Sequence, residues 1–444
     1  FFKQKTAYEI PLRLVGSEMC IRDSQSIIKK IPMPDHNTRK ISLSILREWE
    51  ESSKFIDSII DKRFRSNGLG DLDKSYIQNI VLGVIRNLSL LDHFVEKLRN
   101  SKMSSETRRV LYIGIYQILL MRTPDHAAVN ETVNLANGKS KGMVNAILRR
   151  CVREKENLLE EKNNMDPADK FSIPDHIYAR WEKQLGKETS IDVAENSNIP
   201  AKLIIRSNEI LGGLSDEDLA EIDATRIDQF KGFYTVQKLP LKAIADGRCY
   251  VQDPSTSIAP YLLKPDSNHT VLDACASPGG KTAILSSIMR NEGKIIASDI
   301  EGPRSERLLK NLKRLGVKNT EILSGDLRET KDALENENVR FDRILVDAPC
   351  SNSGVFRRRA DAKWRLMPNY TNELINLQLE LLSAVIPLMK KGGKLVYSTC
   401  SIDAEENTGV ISKIIETHTH LKKLDEVQLI PNDITDGAYA ALLG

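Results

Sequence analysis

From residue 270 onward, short apolar runs alternate with segments of helical period. Val271–Ala274, Lys294–Ser298, Glu321–Leu323, Arg343–Val346 and Lys394–Tyr397 read as strands, with helical patterns at 283–290, 303–315 and 371–389 between them. That alternation predicts a parallel sheet covered by helices on both faces. Upstream the period changes. Ile41, Leu43, Leu46 and Trp49 recur at helical spacing, as do Ile77, Ile80, Val81, Val84 and Ile85, and Val110–Leu120 is apolar nearly all round. The last is expected to be the buried central helix of a bundle. Pro124-Asp125 interrupts the pattern, and Ala127–Val133 starts another helix.

These patterns divide the chain. Residues 38–153 are expected to form an all-α bundle, and 154–170 (EKENLLEEKNNMDPADK) a charged linker. Residues 171–265 are expected to form a small α/β substrate-handling subdomain, with a helix at Ile177–Leu185, a strand at Lys202–Arg206 and Tyr250-Val251-Gln252-Asp253-Pro254 before a short helix. Residues 266–444 are expected to form an α/β Rossmann-like domain. Residues 1–24 do not join the pattern. They show neither a clean amphipathic period nor a signal-peptide core, and they look like translated sequencing-adaptor sequence; Glu9, Glu18 and Asp23 argue against a transit peptide.

Composition narrows the class. The 444 residues include 28% charged side chains yet carry a net charge of only +3, so any nucleic-acid surface must come from local clustering. Such a bias exists between Ser101 and Arg153, where nine Lys/Arg face three Asp/Glu. It suits a solvated helix face and contacts to RNA phosphates equally. No apolar run is long enough to span a bilayer. The six cysteines (20, 151, 249, 275, 350 and 400) are scattered without a CxxC pair, which points away from zinc and disulfide frameworks and toward a reducing cytoplasm. His418 and His420 read as a solvated pair, and no metal is expected. Nothing in the sequence requires a partner subunit, so a monomer is the expectation.

The candidate chemistry gathers at the strand ends. After the first strand comes Cys275-Ala276-Ser277-Pro278-Gly279-Gly280-Lys281-Thr282, a tight loop opening a helix. A phosphate-cradling P-loop needs glycine where Cys275 stands, and Pro278 spoils a dinucleotide fingerprint. A nucleoside ligand without phosphates remains, and S-adenosylmethionine fits. Asp299 follows the second strand, where an acid accepts bonds from ribose hydroxyls. Ser324-Gly325-Asp326 follows the third, placed to meet an adenine amino group. Asp347-Ala348-Pro349-Cys350 follows the fourth, and Ser398-Thr399-Cys400-Ser401 the fifth.

An acid after a strand is often only a turn residue, but four such ends beside one glycine loop form a set. Cys275 reads as a small packing residue. Burial is the commoner fate of any cysteine. Two thiols, Cys350 and Cys400, on one ligand edge nevertheless suggest covalent catalysis. A thiolate adding at C6 of a pyrimidine makes C5 nucleophilic toward an electrophilic methyl. A base then takes the C5 proton, and elimination frees the enzyme. This chemistry does not rank the two cysteines. Arg357-Arg358-Arg359, just past Cys350, is either a solvated basic loop or a contact to RNA backbone.

Two resemblances sharpen the reading. Asp92-His93, Leu111–Leu119, Pro124–Glu131 and Lys141–Arg150 resemble the NusB-like all-helical RNA-binding domain over most of 38–153. Cys275–Thr282, Asp347–Ser351 and Tyr397-Ser398-Thr399-Cys400-Ser401 resemble motifs of the RNA 5-methylcytosine methyltransferases. With the helical domain in front, the chain is similar to the bacterial RsmB/Sun/Fmu branch of that family from 38 to Leu443. Ala438, after Asp436-Gly437, stands where members more often carry an aromatic.

The resemblance implies S-adenosylmethionine-dependent methylation of cytosine C5 in 16S (small-subunit) ribosomal RNA. It implies Cys400 as nucleophile, Cys350 in product release and Asp347 bordering the base. It implies cofactor contacts from Cys275, Ala276, Ser277, Pro278, Gly279, Gly280, Lys281, Asp299, Asp326 and Asp347. Rival readings are a tRNA or DNA cytosine methyltransferase, or a non-catalytic RNA-binding assembly or antitermination factor. The intact thiols and glycine loop speak against the last.

Overall fold

A computed structural model describes residues 38–444 except 67, 100 and 101; the 1–24 tract lies outside the described residues. The chain forms two compact units. The first takes the chain up to Pro200 together with Arg357–Arg365, and the second takes Ala201–Phe356 and Leu366–Gly444.

In the first unit, seven helices share one core: α1 (Thr38–Glu50), α2 (Ile56–Ser66), α3 (Asp71–Arg86), α4 (Leu88–Leu98), α5 (Ser105–Leu119), α6 (Asp125–Val133) and α7 (Lys141–Arg153). The apolar run at 110–120 supplies the central helix, since Leu111, Ile113, Ile115 and Ile118 on α5 are fully buried. Ser104 caps α5 by accepting from Thr107 N. Glycines let its neighbours approach. A Cβ at Gly83 on α3 would stand 2.0 Å from Tyr116 Cζ, and one at Gly114 would stand 2.7 Å from Leu148 Cδ2 on α7.

The charged stretch read as a linker is instead helical, as α8 (Lys155–Asn164) and α9 (Pro167–Lys170). Glu156, Glu160, Asp166 and Asp169 are exposed, Lys155, Glu161, Lys162 and Lys170 are partly buried, and Leu158 is buried. Next come α10 (Asp175–Leu185), with Trp181 buried, and α11 (Lys187–Asn198); both belong to the first unit, so the compact division falls at residue 200 and not at 170. The returning segment is tied in by long-range bonds. Asp361 Oδ2 accepts from Ile56 N at 2.7 Å, Trp364 Nε1 donates to Ile85 O at 2.9 Å, and buried Lys363 donates to Arg86 O at 2.9 Å.

The second unit opens with a four-stranded antiparallel sheet of order β2-β3-β1-β4: β1 (Leu203–Ser207), β2 (Thr225–Arg226), β3 (Phe233–Val236) and β4 (Cys249–Val251). The larger sheet holds β5 (Thr270–Asp273), β6 (Lys294–Asp299), β7 (Thr320–Ser324), β8 (Phe341–Asp347), β9 (Met389–Thr399), β10 (Lys423–Leu429) and β11 (Ala438–Leu443). Its order is β10-β11-β9-β8-β5-β6-β7, with β5 to β9 parallel and the last two strands antiparallel.

The five strands expected from the alternation are therefore all present. Strands β5, β6 and β8 are covered on both faces, so Val271, Leu272, Ile295, Ile344 and Leu345 are fully buried; this explains why they read as continuous apolar runs. Strand order reverses between β5 and β8. That switch opens a crevice at the carboxyl ends of these two strands, where ligands bind in such sheets.

Candidate active site

Register brings the predicted strand ends to one edge. Asp273 pairs with Leu345, Asp299 with Ser324 and Asp347 with Ser398. The loop after β5 is held to both neighbours, Ala274 N donating to Leu345 O at 2.8 Å and Ala276 N to Ser298 O at 2.9 Å. Gly279, at φ +101°, takes the left-handed conformation that starts the helix Gly280–Ile288. Gly280 lies against β4 and its following residue, where a Cβ would meet Gln252 Nε2 at 2.8 Å and Tyr250 Cε1 at 3.2 Å.

Every acid on this edge has a distinct partner. Asp273 is wholly buried; Thr282 Oγ1 donates to its Oδ2 at 2.7 Å, and its Oδ1 has no protein donor. Burial pushes its carboxyl up to about 7. Asp299 accepts four bonds: from Ser277 N at 2.8 Å, Ile300 N at 2.9 Å, and Arg304 Nε and Nη2 at 2.7 and 3.1 Å. A carboxylate offers about four acceptor sites, so the acceptor capacity of Asp299 is taken up within the protein, two of the bonds coming from the half-exposed Arg304 side chain. Asp326 is held by Arg328, whose hydrogen bonds lower its pKa. Asp347 Oδ2 lies 2.7 Å from Lys281 Nζ. Burial opposes the Lys281 charge, but Asp347 outweighs it and raises the ammonium's pKa, with the Cys400 thiol adding to the effect.

The two candidate thiols meet. Cys350 Sγ and Cys400 Sγ are 3.0 Å apart, although 50 residues separate them in the chain. Cys350 is buried and Cys400 half-buried. The hydrogen bond to Cys400, with burial added, holds the Cys350 thiol well above its ordinary pKa. Asn352, in the left-handed region at φ +62°, accepts from Cys400 Sγ at 3.4 Å and donates to Cys350 O at 3.1 Å. Cys275 is apart from this pair. It is half-buried against the sheet core, and burial raises its pKa, which fits the expected packing role.

Several residues here escaped sequence reasoning. Glu406 is fully buried and joins the two cysteine loops. Its Oε2 accepts from Ser351 N and Gln378 Nε2, each at 2.9 Å, and its Oε1 accepts from Ser401 Oγ at 3.0 Å. Burial raises its pKa. Gln378 also donates to Pro349 O at 2.9 Å. Gly354 N donates to Cys400 O at 3.0 Å, and Gly437 N to Gly354 O at 2.8 Å, so two glycine backbones cross beside the Cys400 loop. The Asp436-Gly437 motif carried a hint of this; Glu406 and Gln378 lie on turns and helices whose polar positions have no period to read.

The arginine run is corrected at its first member. Arg357 is only 5% exposed and its carbonyl accepts from Arg86 Nη2 at 3.0 Å, so it is packed inside the first unit and does not face solvent. Arg358 and Arg359 remain partly exposed. Among the described residues no cluster of acids, histidines and cysteines could hold a metal ion, and no helix is long and apolar enough to cross a membrane.

Comparison with known proteins agrees with this geometry. Residues 260–440 match the profile of the 16S rRNA methyltransferase RsmB/F family, and 36–153 that of the NusB family. Probable ribosomal RNA small subunit methyltransferase B of Synechocystis is 32% identical over 86% of this chain and 90% of its own. The chain belongs to the RsmB/F family of 16S rRNA methyltransferases.

Other RsmB-type relatives match over a similar span. Ribosomal RNA small subunit methyltransferase B of Enterobacter is 33% identical over 86% of this chain and 91% of its own. The protein of Bacillus subtilis called probable small subunit methyltransferase B is 32% identical over 87% and 90%. Among solved structures, PH0851 shares the fold across 94% of this chain and 100% of its own, at TM-score 0.73 and 23% identity. A methyltransferase homologue from Pyrococcus horikoshii covers 60% of this chain and 93% of its own, at TM-score 0.51 and 28% identity.

The cofactor of this RsmB/F member is S-adenosylmethionine. The edge fits it chemically. Asp299, Asp326 and Asp347 stand at or just past the carboxyl ends of β6, β7 and β8 along one edge, each paired with a cation of the protein, so the edge carries hydrogen-bond acceptors for hydroxyls and amines without a free cation of these pairs to hold a phosphate.

Proposed function

We propose that the chain methylates C5 of a cytosine in small-subunit ribosomal RNA, with Cys400 as the covalent nucleophile. The observation that carries this reading is the 3.0 Å approach of Cys350 and Cys400 at the sheet's switch point. Bound S-adenosylmethionine supplies an electrophilic methyl carried on a positively charged sulfur.

The residues divide the work. The raised pKa keeps Cys350 a thiol at neutral pH, with its sulfur 3.0 Å from that of Cys400. The Cys400 sulfur adds to C6 of the base, and the electron pair of the 5,6 double bond moves to C5, which takes the methyl. Loss of the C5 proton to a base restores the double bond and breaks the C6–S bond. Cys350 stands beside the departing sulfur, and its S–H hydrogen-bonds to the negative charge that forms on Cys400 as the C6–S bond breaks. Asp347, held by Lys281, borders the base, while the loop 275–281, Asp299 and Asp326 hold the cofactor. The target base must be unstacked to reach Cys400. The NusB-like helices, with Arg358 and Arg359, grip RNA through phosphates.

The test is methyl transfer from labelled S-adenosylmethionine to protein-free small-subunit ribosomal RNA. The parent should yield labelled 5-methylcytosine, Cys400→Ala none, and Cys350→Ala a covalent RNA–protein adduct that runs slowly on a denaturing gel. An adduct in Cys400→Ala but none in Cys350→Ala would reverse the roles. No transfer by the parent would overturn the reading.

A further inference from the structure

Two loops carry the thiols, one after β8 and one after β9. Peripheral bonds run between them, from Gly354 N to Cys400 O, Ser351 Oγ to Ser401 Oγ at 3.2 Å and Ile402 N to Ser353 Oγ at 3.1 Å, and one buried carboxylate takes bonds from the residue next to each cysteine. Glu406 receives Ser351 N, the amide next to Cys350, on one oxygen, and Ser401 Oγ, the side chain next to Cys400, on the other. Gln378 adds a third donor to the first oxygen and fastens Pro349 O with the same amide group. Tyr397 OH donates to Glu406 O at 2.7 Å, fixing the backbone from which the carboxylate projects. Each oxygen of this buried carboxylate thus takes a bond from one of the cysteine loops, and no cation pairs with it through a salt bridge of 4 Å or less among the described residues.

We propose that Glu406 is the positioning residue that sets the distance between Cys350 and Cys400 by clamping both loops. The inference rests on the two-thiol reading above, and it assigns Glu406 no contact with substrate. Its consequence is geometric. Attack and release pass between two sulfurs, and a shift of about 1 Å in a reacting group costs roughly a hundredfold in rate.

The experiment measures the thiols directly and needs no RNA. Diamide takes two hydrogens from a close thiol pair, becoming a hydrazine as the S–S bond forms, so the rate of Cys350–Cys400 disulfide formation reports their separation. In Glu406→Ala the rate should fall by at least about tenfold while the S-adenosylmethionine Kd stays within about twofold of the parent. Methyl transfer by the same variant should lose about a hundredfold in kcat with little change in KM for the cofactor.

Glu406→Gln should stay close to the parent in both assays. One amide oxygen can take Ser351 N and Gln378, and the amide nitrogen can donate to Ser401 Oγ. Parent-like disulfide formation in Glu406→Ala would overturn the proposal, as would a Glu406→Gln variant as slow as the alanine. If Glu406→Ala does not bind cofactor, Glu406→Asp carries the test by drawing the carboxylate back one methylene from Ser351 N and Ser401 Oγ, and an unchanged disulfide rate there overturns it. Should the parent methylate no RNA, the functional reading fails, yet the disulfide rates still decide the role of Glu406.

Discussion

Lys281 Nζ lies 2.7 Å from Asp347 Oδ2, joining the helix after β5 to the end of β8 across the sheet's switch point. Side-chain exposures of 17% and 29% leave this pair poorly screened. Lys281→Met removes the cation, keeps much of the stem's volume and leaves Asp347 an uncompensated anion at the carboxyl edge of the sheet. Methyl-transfer kcat/KM should drop roughly 10- to 100-fold, about the cost of losing one charged hydrogen bond in a half-buried site. Steady-state kinetics with varied cofactor and RNA would measure it, and an unchanged kcat/KM would show that the pair is incidental.

Asp273 makes stability depend on pH. Its folded pKa, about 7, lies above its ordinary value of 3.8, so the folded state binds the proton more tightly than the unfolded chain. The stability it contributes is full below the ordinary value and is lost as pH rises through about 7. Thermal unfolding of the parent's second unit should therefore weaken across that window. Asp273→Asn retains an oxygen for Thr282 and has no charge to bury, so its midpoint should be higher at pH ~8 and flatter with pH. Parallel pH profiles for the two proteins would refute this.

Gly354 tests the backbone crossing beside Cys400. A Cβ there would stand 2.6 Å from Cys400 O and 2.8 Å from Gly437 Cα, both main-chain atoms with nowhere to rotate. Gly354→Ala should displace the Cys400 loop and cut methyl transfer by about a hundredfold while cofactor binding persists. Isothermal titration beside an activity assay separates the two effects.

In the first unit, Gly83→Ala drives a methyl into the Tyr116 ring on α5. Overpacking of this kind costs about 1–3 kcal/mol, so the unfolding midpoint of that unit should fall, with the second unit's transition unchanged. Circular dichroism at 222 nm together with cofactor-protected melting would resolve the two transitions.

Legibility followed locality. The run at 110–120 read as a central helix because burial on every side leaves its mark within one segment, and the strands β5, β6 and β8 read for the same reason. Strands β10 and β11 did not. Lys423–Leu429 is a polar edge strand, and Ala438–Leu443 gains its burial only by lying between β10 and β9. Charge misled at 154–170, where an exposed helix carries the same residues a linker would. It misled again at Arg357, whose burial comes from helices that lie hundreds of residues earlier in the chain.

The sequence by itself determined which chemical groups stand at the strand ends: the glycine loop, the acids Asp299, Asp326 and Asp347, and the thiols Cys350 and Cys400. Backbone geometry imposes its period over a few residues, and these groups follow directly from it. Only the tertiary structure decided that the two sulfurs meet, that Arg304 fills Asp299, and that Glu406 spans both cysteine loops. Those contacts depend on β8 returning to lie between β5 and β9, a choice made by packing apolar faces across the whole sheet and written in no single stretch of chain.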